Sequence, residues 1–418
     1  MAKQSIKPNR TILVVFAVII AVVAAVIIAG TAGGKSSPTS PTQTSPAQSS
    51  SPSPTQPSVQ PSLKGSITGG GSTFINPQLV AWSRRFYEAT KGAVQVNYQS
   101  IGSGAGTAQF LEKKLDFGAS DVPMPSDKFK DVKGRVVQFP VIIGSIVIAY
   151  NVPEVAYEKT GKYLNFTSEL LALIYMGEVK QWCDPRIKAV NPGLADKLPC
   201  RDIVAVHRSD GSGTTAAFTL YLSKTYQPWN STVGWGFTVK WPADEKAKGV
   251  GAKGNEGVAQ AVIQNQYSVG YVEYAYWAKN RDKYDKVGGV AYIRNDNDRR
   301  YYFPSADVVM QGAAAGLERY KNKYGSPPAP DADWNPVSVE LSNPPTGYPL
   351  LSFTYVYLWK DYAGEGYPDA ATRAALLREF FRWVLTEGQR PEYVVEGYIP
   401  LPAELAQMGL KALDQVKP

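Results

Sequence analysis

Stretches with the two-residue period of a strand recur along the chain. Val94, Val96 and Tyr98 alternate with polar neighbours, which is the pattern of a strand with one buried face. Residues 136–150 form a long run rich in β-branched side chains, and residues 203–206 are continuously apolar. An uninterrupted apolar run is typical of a strand that is buried on both faces. The sequence therefore predicts strands at these three places.

Apolar residues at helical spacing lie between and after these strands. A helix is also expected at residues 216–226, soon after the strand at 203–206. Gly92 and Gly388 follow two of the periodic stretches and are expected to end their helices. The alternation of strands and helices predicts an α/β fold with largely parallel sheets. The apolar positions that define the helices are Leu79, Trp82 and Phe86; Phe110, Leu111 and Leu115; and Leu376, Phe380, Trp383 and Val384.

The N-terminal region differs from the rest of the chain. Residues 11–30 contain no charge, and at about 1.5 Å per residue a helix of this length crosses a hydrocarbon core of ~30 Å. Three cations precede the segment and only Lys35 follows it closely, so residues 1–10 are expected in the cytoplasm and the remainder outside. We expect a retained single-pass anchor in the cell membrane. A cleaved signal segment is the alternative, and it leads to the same extracytoplasmic location.

Residues 31–63 consist almost entirely of small polar residues, alanine, glycine and proline. Such a tract cannot bury enough apolar surface to fold, and its prolines keep it extended. It is expected to be a stalk that tethers the folded part to the membrane, and its hydroxyls suggest glycosylation. A plain flexible linker would provide the same tether. Beyond it, the acceptor sequons at Asn165 and Asn230 are candidate N-glycosylation sites.

The scarcity of cysteine and histidine excludes several classes of site. The chain has Cys183, Cys200 and a single histidine, His207, whereas a structural zinc site needs about four such ligands. Outside the cell the two cysteines are expected to form a disulfide worth about 3 kcal/mol, with two free buried thiols as the alternative. His207 precedes Arg208, so on a strand the two point to opposite faces, and we interpret His207 as structural.

The net charge of +8 comes from scattered cations without a long run, which argues against a nucleic-acid-binding tract. Three glycine-rich turns, at residues 69–74, 102–106 and 208–215, instead lie between a predicted strand and a predicted helix. Free N–H groups at a helix N-terminus attract small oxyanions, and serine and threonine hydroxyls add donors. None of the turns matches a P-loop, a dinucleotide fingerprint or a nucleophile elbow.

The first two turns and five further blocks, one of which contains the third turn, resemble the phosphate-binding subunit of bacterial and archaeal phosphate ABC transporters. The blocks are LDFGASDVPM, VHRSDGSGTTAAFTLYLSK, VGYVEYAYW, YPLLSFTYVYL and GYIPLP. The resemblance spans about 66–402 and implies a two-lobed periplasmic-binding-protein fold (type II) with the ligand in the inter-lobe cleft. We expect one lobe from 64–143 plus 346–418 and the other from 144–345. The anchor and stalk lie outside the resemblance and suggest an archaeal-style surface protein.

The resemblance also implies which residues bind phosphate. Arg208 would grip two oxygens, with Asp210 steadying it, and Asp121 would accept a hydrogen bond from a protonated ligand. Sulfate has no proton to donate, so Asp121 would favour phosphate over sulfate. The expected ligand-binding residues are Thr73, Phe74, Ser103, Asp121, Arg208, Ser212, Gly213 and Thr214.

The sequence thus predicts a solute-binding protein that captures inorganic phosphate and delivers it to the permease subunits of an ABC transporter. Alternatives are a binding protein for sulfate, molybdate or a phosphonate, a surface phosphatase, and an adhesion or signalling module. We expect no catalytic site, no cofactor, no metal and no nucleic acid, and we expect a monomer.

Overall fold

The computed structural model describes residues 63–418, so the predicted segments 1–10 and 11–30 and all but the last residue of 31–63 lie outside the described residues. Within 63–418, strands and helices alternate as predicted. The strands are β1 Gly65–Gly71, β2 Val94–Ser100, β3 Phe117–Ser120, β4 Val136–Asn151, β5 Asn165–Phe166, β6 Val204–Arg208, β7 Lys248–Ala252, β8 Ser268–Glu273, β9 Gly288–Val290, β10 Tyr292–Arg294, β11 Tyr301–Tyr302 and β12 Leu351–Trp359.

The helices of the same part of the chain follow the strands in sequence, and short 3₁₀ turns connect some of them. The helices are α1 Asn76–Ala89, α2 Ser103–Leu111, α3 Ser126–Asp131, α4 Tyr157–Thr160, α5 Ser168–Tyr175, α6 Pro185–Val190, α7 Gly213–Thr225, α8 Gln227–Thr232, α9 Ala243–Lys246, α10 Gly254–Gln264, α11 Tyr274–Ala278, α12 Arg281–Val287, α13 Ala306–Tyr324, α14 Asn335–Leu341, α15 Ala370–Leu385 and α16 Ala403–Leu413. The 3₁₀ turns are Pro153–Val155, Ala195–Lys197, Glu387–Gln389 and Pro391–Tyr393.

The strands that the sequence predicts coincide with β2, β4 and β6, and the helices with α1, α2, α7 and α15. Helix α1 buries Leu79, Trp82 and Phe86, and the chain turns at Gly92, whose φ of 82° suits glycine. Helix α15 ends at Leu385, three residues before the predicted stop at Gly388, because Gly388 belongs to a separate 3₁₀ turn. The elements read from periodicity are therefore present, with small differences at their ends.

One mixed sheet of nine strands organises the described residues, in the order β2-β1-β3-β12-β4-β8-β6-β7, with β9 beside β4. Strand β4 joins its two halves: residues 136–145 pair with β12, and residues 146–151 pair with β8. Every residue of β4 is buried, which explains its predominantly apolar sequence. The change of partner after Ser145 falls near the predicted lobe boundary at 143/144, which stays a prediction.

The expectation of largely parallel sheets is wrong in part. Strand β1 is parallel to β2 and β3, and β6 is parallel to β7 and β8. Strands β4 and β12, however, run antiparallel to each other and to their outer neighbours. Each end of the sheet is built from strand–helix units, whereas β4 and β12 carry the chain between the two ends. Strand direction there depends on these long connections, which local periodicity does not encode.

Within residues 63–418, no helix is long and apolar enough to cross a membrane. Cys183 and Cys200 are joined by a disulfide, with Cα atoms 4.7 Å apart. The Asn230 side chain is exposed on α8, whereas Asn165 is half-buried in β5 and its Nδ2 donates to the Val190 carbonyl at 3.0 Å. The accessible acceptor is therefore Asn230, and glycosylation at both sequons stays a prediction.

Candidate functional site

Four strand-to-helix turns meet at the carboxyl ends of parallel strands. Two follow β1 and β2 at one end of the mixed sheet, and two follow β6 and β7 at the other. In open α/β sheets the carboxyl ends of the strands are where ligands bind. The two sets are in direct contact, since the Gly104 N–H donates to the Gly211 carbonyl at 2.9 Å. Three of the turns are those predicted from the sequence.

Asp121 lies at the centre of these turns, directly after β3, and is 1% exposed. The Ser72 hydroxyl donates to its Oδ1, the Thr354 hydroxyl lies 3.4 Å from the same atom, and the Thr214 hydroxyl lies 3.3 Å from Oδ2. Burial raises the pKa of Asp121 to about 7, despite these hydrogen bonds and the charge of Arg208. Desolvation disfavours the charged carboxylate, so the Asp121 carboxyl titrates near neutral pH.

Arg208 provides a buried positive charge at the end of β6, with 4% of its surface exposed. Its Nε donates to Asp210 Oδ1 at 2.7 Å and its Nη2 to Asp210 Oδ2. Burial acts to raise the pKa of Asp210, but the hydrogen bonds and charge of Arg208 hold that pKa below its ordinary value. The pairing fixes the guanidinium plane and leaves Nη1 directed at Thr214 Oγ1, 3.4 Å away. Asp210 therefore holds the Arg208 side chain in place, and its supporting role in ligand binding stays a prediction.

Helix α7 begins beside this guanidinium. Ser212 caps it, because its Oγ accepts from the Thr215 N–H at 3.0 Å. The N–H groups of Gly213 and Thr214 belong to the first turn, where a helix provides no acceptors of its own. A helix N-terminus also carries about half a positive charge. These two groups are suited to bind an anion held by Arg208.

Gly213, Ser103 and Asp121 converge closely. A Cβ atom on Gly213 would lie 2.5 Å from Ser103 Oγ and 2.8 Å from Asp121 Oδ2, distances that real Cβ atoms do not adopt. Position 213 therefore requires glycine. The Ser103 hydroxyl, on the first residue of α2, is buried without a hydrogen-bond partner among the described residues, so it can donate to a ligand.

The turn after β1 brings Thr73 and Phe74 to the same place. Thr73 Oγ1 accepts hydrogen bonds from the backbone N and the Nδ2 of Asn255, at 3.1 and 2.9 Å. The Phe74 N–H points to Ser72 Oγ at 3.0 Å, and the Phe74 ring packs against the backbone of Gly144. The structure thus places all eight predicted ligand residues, and Asp210, in one buried cluster.

Asn255 was missed by the sequence analysis. It is fully buried, and its Nδ2 donates to Thr73 Oγ1 and to Thr214 Oγ1, the latter at 3.1 Å. Its Oδ1 accepts from the Glu273 N–H at 2.9 Å. Gly254, with a φ of 71°, precedes it at the start of α10. This fourth glycine-containing turn between a strand and a helix was the signal that could have identified Asn255.

Ser72 was also missed, although it lies inside the first predicted turn. Its hydroxyl donates to Asp121 and accepts from the backbone of the following turn. His207 takes no part in the cluster: its Nε2 lies 2.8 Å from Asp244 Oδ1, and its ring stacks on Trp241 with centroids 4.9 Å apart. In residues 63–418 there is no group of three side chains placed to hold a metal ion.

The site therefore combines one guanidinium that is paired with Asp210, several N–H and hydroxyl donors, and the carboxyl group of Asp121, whose pKa is about 7. Such a set can satisfy the oxygens of a small tetrahedral anion. The carboxyl adds an acceptor for an anion that carries a proton.

Comparison with known proteins gives a consistent result. Residues 40–387 match the profile of the PBP superfamily domain. The chain is 35% identical over 352 residues to the phosphate-binding protein PstS of Methanocaldococcus jannaschii, covering 83% of this chain and 85% of that protein. It is 40% identical over 344 residues to the PstS of Haemophilus influenzae, covering 81% and 90%.

The fold agrees as well. A solved structure of a high-affinity periplasmic phosphate-binding protein with bound phosphate superposes with a TM-score of 0.60 at 21% identity, covering 85% of this chain and 99% of that one. The predicted two-lobed α/β class is confirmed by this likeness. The chain belongs to the PBP superfamily and, within it, to the PstS family of phosphate-binding proteins.

Proposed function

We propose that this protein binds inorganic phosphate outside the cytoplasm and delivers it to the permease subunits of an ABC-type importer. The observation that carries the proposal is Asp121, a buried carboxyl with a pKa of about 7 among donors that otherwise suit an anion. Relatives that the chain matches over more than four fifths of its length are named phosphate-binding proteins.

The phosphate would be held from several sides. Arg208 Nη1, the N–H groups of Gly213 and Thr214, and the hydroxyls of Ser103 and Thr73 are donors. Each phosphate oxygen needs hydrogen bonds, because leaving a buried charge unsatisfied costs several kcal/mol. Donation from a protonated phosphate oxygen to Asp121 completes the set without placing two bare anions together.

The predicted lobes provide a mechanism by which the site releases phosphate during transport. If residues 64–143 and 346–418 form one lobe and 144–345 the other, Asp121 and Thr73 belong to the first, and Thr214 and Asn255 to the second. The hydrogen bonds between these residues then span the cleft and break when the lobes separate. Opening at the permease would release phosphate, and no covalent step is required.

The extracytoplasmic location and the anchor remain part of this proposal. The disulfide between Cys183 and Cys200 supports an oxidising compartment, and the uncharged segment 11–30 would tether the protein. If the anchor is retained, native protein partitions with membranes and begins near Met1. N-terminal sequencing that starts within the stalk would show cleavage instead.

Calorimetric titration of the full-length protein in detergent tests the ligand. We expect tight binding of phosphate, and much weaker binding of sulfate, molybdate and methylphosphonate at pH 8. Tighter binding of any of these three would replace phosphate as the proposed ligand. Release of nitrophenol from p-nitrophenyl phosphate above that of an Asp121→Asn, Arg208→Ala double variant would instead favour a phosphatase.

A further inference from the structure

Three sequence blocks that resemble the family have no ligand residue assigned to them, and two of the three contact each other. These two are VGYVEYAYW, which ends β8 and forms α11, and GYIPLP near the C-terminus. They meet beside the candidate site. Gly397 has a φ of 102°, and a Cβ there would lie 2.3 Å from the Tyr274 ring, so glycine permits a close approach of the two blocks.

The approach brings together Glu273 from the first block and Tyr398 from the second. Both are buried, Glu273 fully so. Glu273 Oε2 accepts from the Ala275 N–H at 2.8 Å and so caps α11. Glu273 Oε1 is buried without a hydrogen-bond partner among the described residues, and the Tyr398 hydroxyl lies beside this carboxyl group. The cap of α11 uses only Oε2 of Glu273, so it gives no role to Oε1.

Tyr398 connects this carboxyl to the ligand turn, because its hydroxyl donates to the carbonyl of Phe74. On the other side, the Glu273 N–H donates to Asn255 Oδ1, whose amide holds Thr73 and Thr214. Glu273 thus lies between two paths to the same turn. One path runs through the side chain to Phe74, and the other through the backbone to Thr73.

We propose that Glu273 and Tyr398 are positioning residues that latch the turn at residues 72–75 onto the opposite lobe when the cleft is closed. The latch rests on the proposed function and on the predicted lobes, which put Glu273 on one side and Tyr398 and Phe74 on the other. A protonated Glu273 donates to the Tyr398 oxygen, and Tyr398 donates to the Phe74 carbonyl.

The neutral form of the acid fits its surroundings. Burial raises the pKa of Glu273 well above its ordinary value, and the nearby Asp121 raises it further. A glutamate without its proton would place a second buried negative charge near Asp121, which the cap of α11 offsets only in part. A neutral hydrogen-bonding group is therefore what the position requires, and glutamine can replace it whereas alanine cannot.

The latch acts on the closed state, so it should govern phosphate release. The test is to measure the phosphate dissociation rate by stopped flow and the phosphate affinity by calorimetry, both on full-length protein. Glu273→Ala and Tyr398→Phe are each expected to raise the dissociation rate about tenfold, with little change in the association rate. Glu273→Gln should retain wild-type dissociation. Because the two residues act in series, the double variant Glu273→Ala, Tyr398→Phe should be no faster than the faster single variant.

Tyr362→Phe is the matched control, because the Tyr362 hydroxyl also donates to a buried carbonyl, that of Asp116 at 2.7 Å, away from the cleft. It should leave phosphate dissociation unchanged. The latch is overturned if Glu273→Gln releases phosphate as fast as Glu273→Ala, if the two single effects add, or if Tyr398→Phe matches Tyr362→Phe. Should Glu273→Ala not fold, Tyr398→Phe against Tyr362→Phe decides the question alone. If the wild-type protein fails to bind phosphate, the proposed function is refuted. If the wild type binds phosphate and the Glu273 and Tyr398 variants release it at the wild-type rate, only the latch is refuted.

Discussion

The Thr214 hydroxyl lies 3.3 Å from Asp121 Oδ2. Asp121 follows β3 and Thr214 is the second residue of α7, so this contact joins the two ends of the mixed sheet. It also sets a carboxyl group against the N-terminus of a helix, where an anionic ligand would bind. We therefore propose that the protonation state of Asp121 decides which anion is accepted.

Replacing Asp121 by asparagine tests its role in selectivity. The amide is nearly isosteric and adds a donor, which can face an unprotonated oxygen of either anion. We expect phosphate still to bind, and the phosphate-to-sulfate preference to narrow at least about tenfold, or about 1.4 kcal/mol. Competition titrations measure the preference. If Asp121→Asn keeps full discrimination against sulfate, Asp121 does not select phosphate by accepting a hydrogen bond from its protonated oxygen.

The pKa of about 7 adds a pH dependence to this selectivity. Above pH 7 Asp121 is a carboxylate that repels sulfate, whereas below it the neutral acid can donate a hydrogen bond to sulfate. Sulfate affinity is therefore expected to rise as the pH falls from 8 to 6, by up to about tenfold over the whole range, with most of the rise above pH 7. The same titration of Asp121→Asn should be nearly flat. Equal slopes in the two proteins would show that another group is responsible.

The same shift predicts a change in stability of the ligand-free protein. The pKa of Asp121 is higher in the folded state than its ordinary value of 3.8, so between these values the folded protein holds a proton that the unfolded chain releases. The contribution of Asp121 to the free energy of unfolding is thus fully present below about pH 4 and declines up to about pH 7, at no more than about 1.4 kcal/mol per unit. Denaturant unfolding of wild type and Asp121→Asn measures the difference. A wild-type protein that gains stability relative to the variant over this range would contradict the shift.

Removing the guanidinium should weaken binding strongly. Arg208→Ala takes the cation from a buried anion and leaves Asp210 unpaired, and such losses cost roughly 2–5 kcal/mol. We expect the phosphate dissociation constant to rise at least about 30-fold. Arg186→Ala is the matched control, because Arg186 makes a similar pair of bonds to Asp184 at an exposed site. Comparable losses in both variants would mean that net charge matters rather than the Arg208 site.

Asn255 provides a test of a residue found only in the structure. Asn255→Ala removes the amide that holds Thr73 and Thr214, and leaves the Glu273 N–H without its acceptor. A lost bond of this kind costs about 1–3 kcal/mol, so phosphate affinity should fall by about five- to 150-fold. Asn265→Ala, which removes a local bond to the Ala261 carbonyl at the end of the same helix, should leave affinity unchanged.

The sequence revealed those parts of the site that depend on local pattern. Each of the predicted turns has a strand, glycines and a helix within a short stretch, and strand direction then brings the turns to one edge. Asn255 depends on β7 lying beside β6, a pairing between segments far apart in the chain. The antiparallel course of β4 and β12 is non-local for the same reason. The raised pKa of Asp121 arises from burial by four separate segments, which no local motif records.

The most direct test of selective phosphate binding at this site is a calorimetric competition at pH 8 on full-length protein, with phosphate titrated in the presence of a large excess of sulfate. We expect one phosphate per chain, with an affinity that sulfate barely changes, and a phosphate dissociation constant that is at least about 30-fold higher in Arg208→Ala. Displacement of phosphate by sulfate at comparable concentrations, or unchanged phosphate binding in Arg208→Ala, would contradict this expectation.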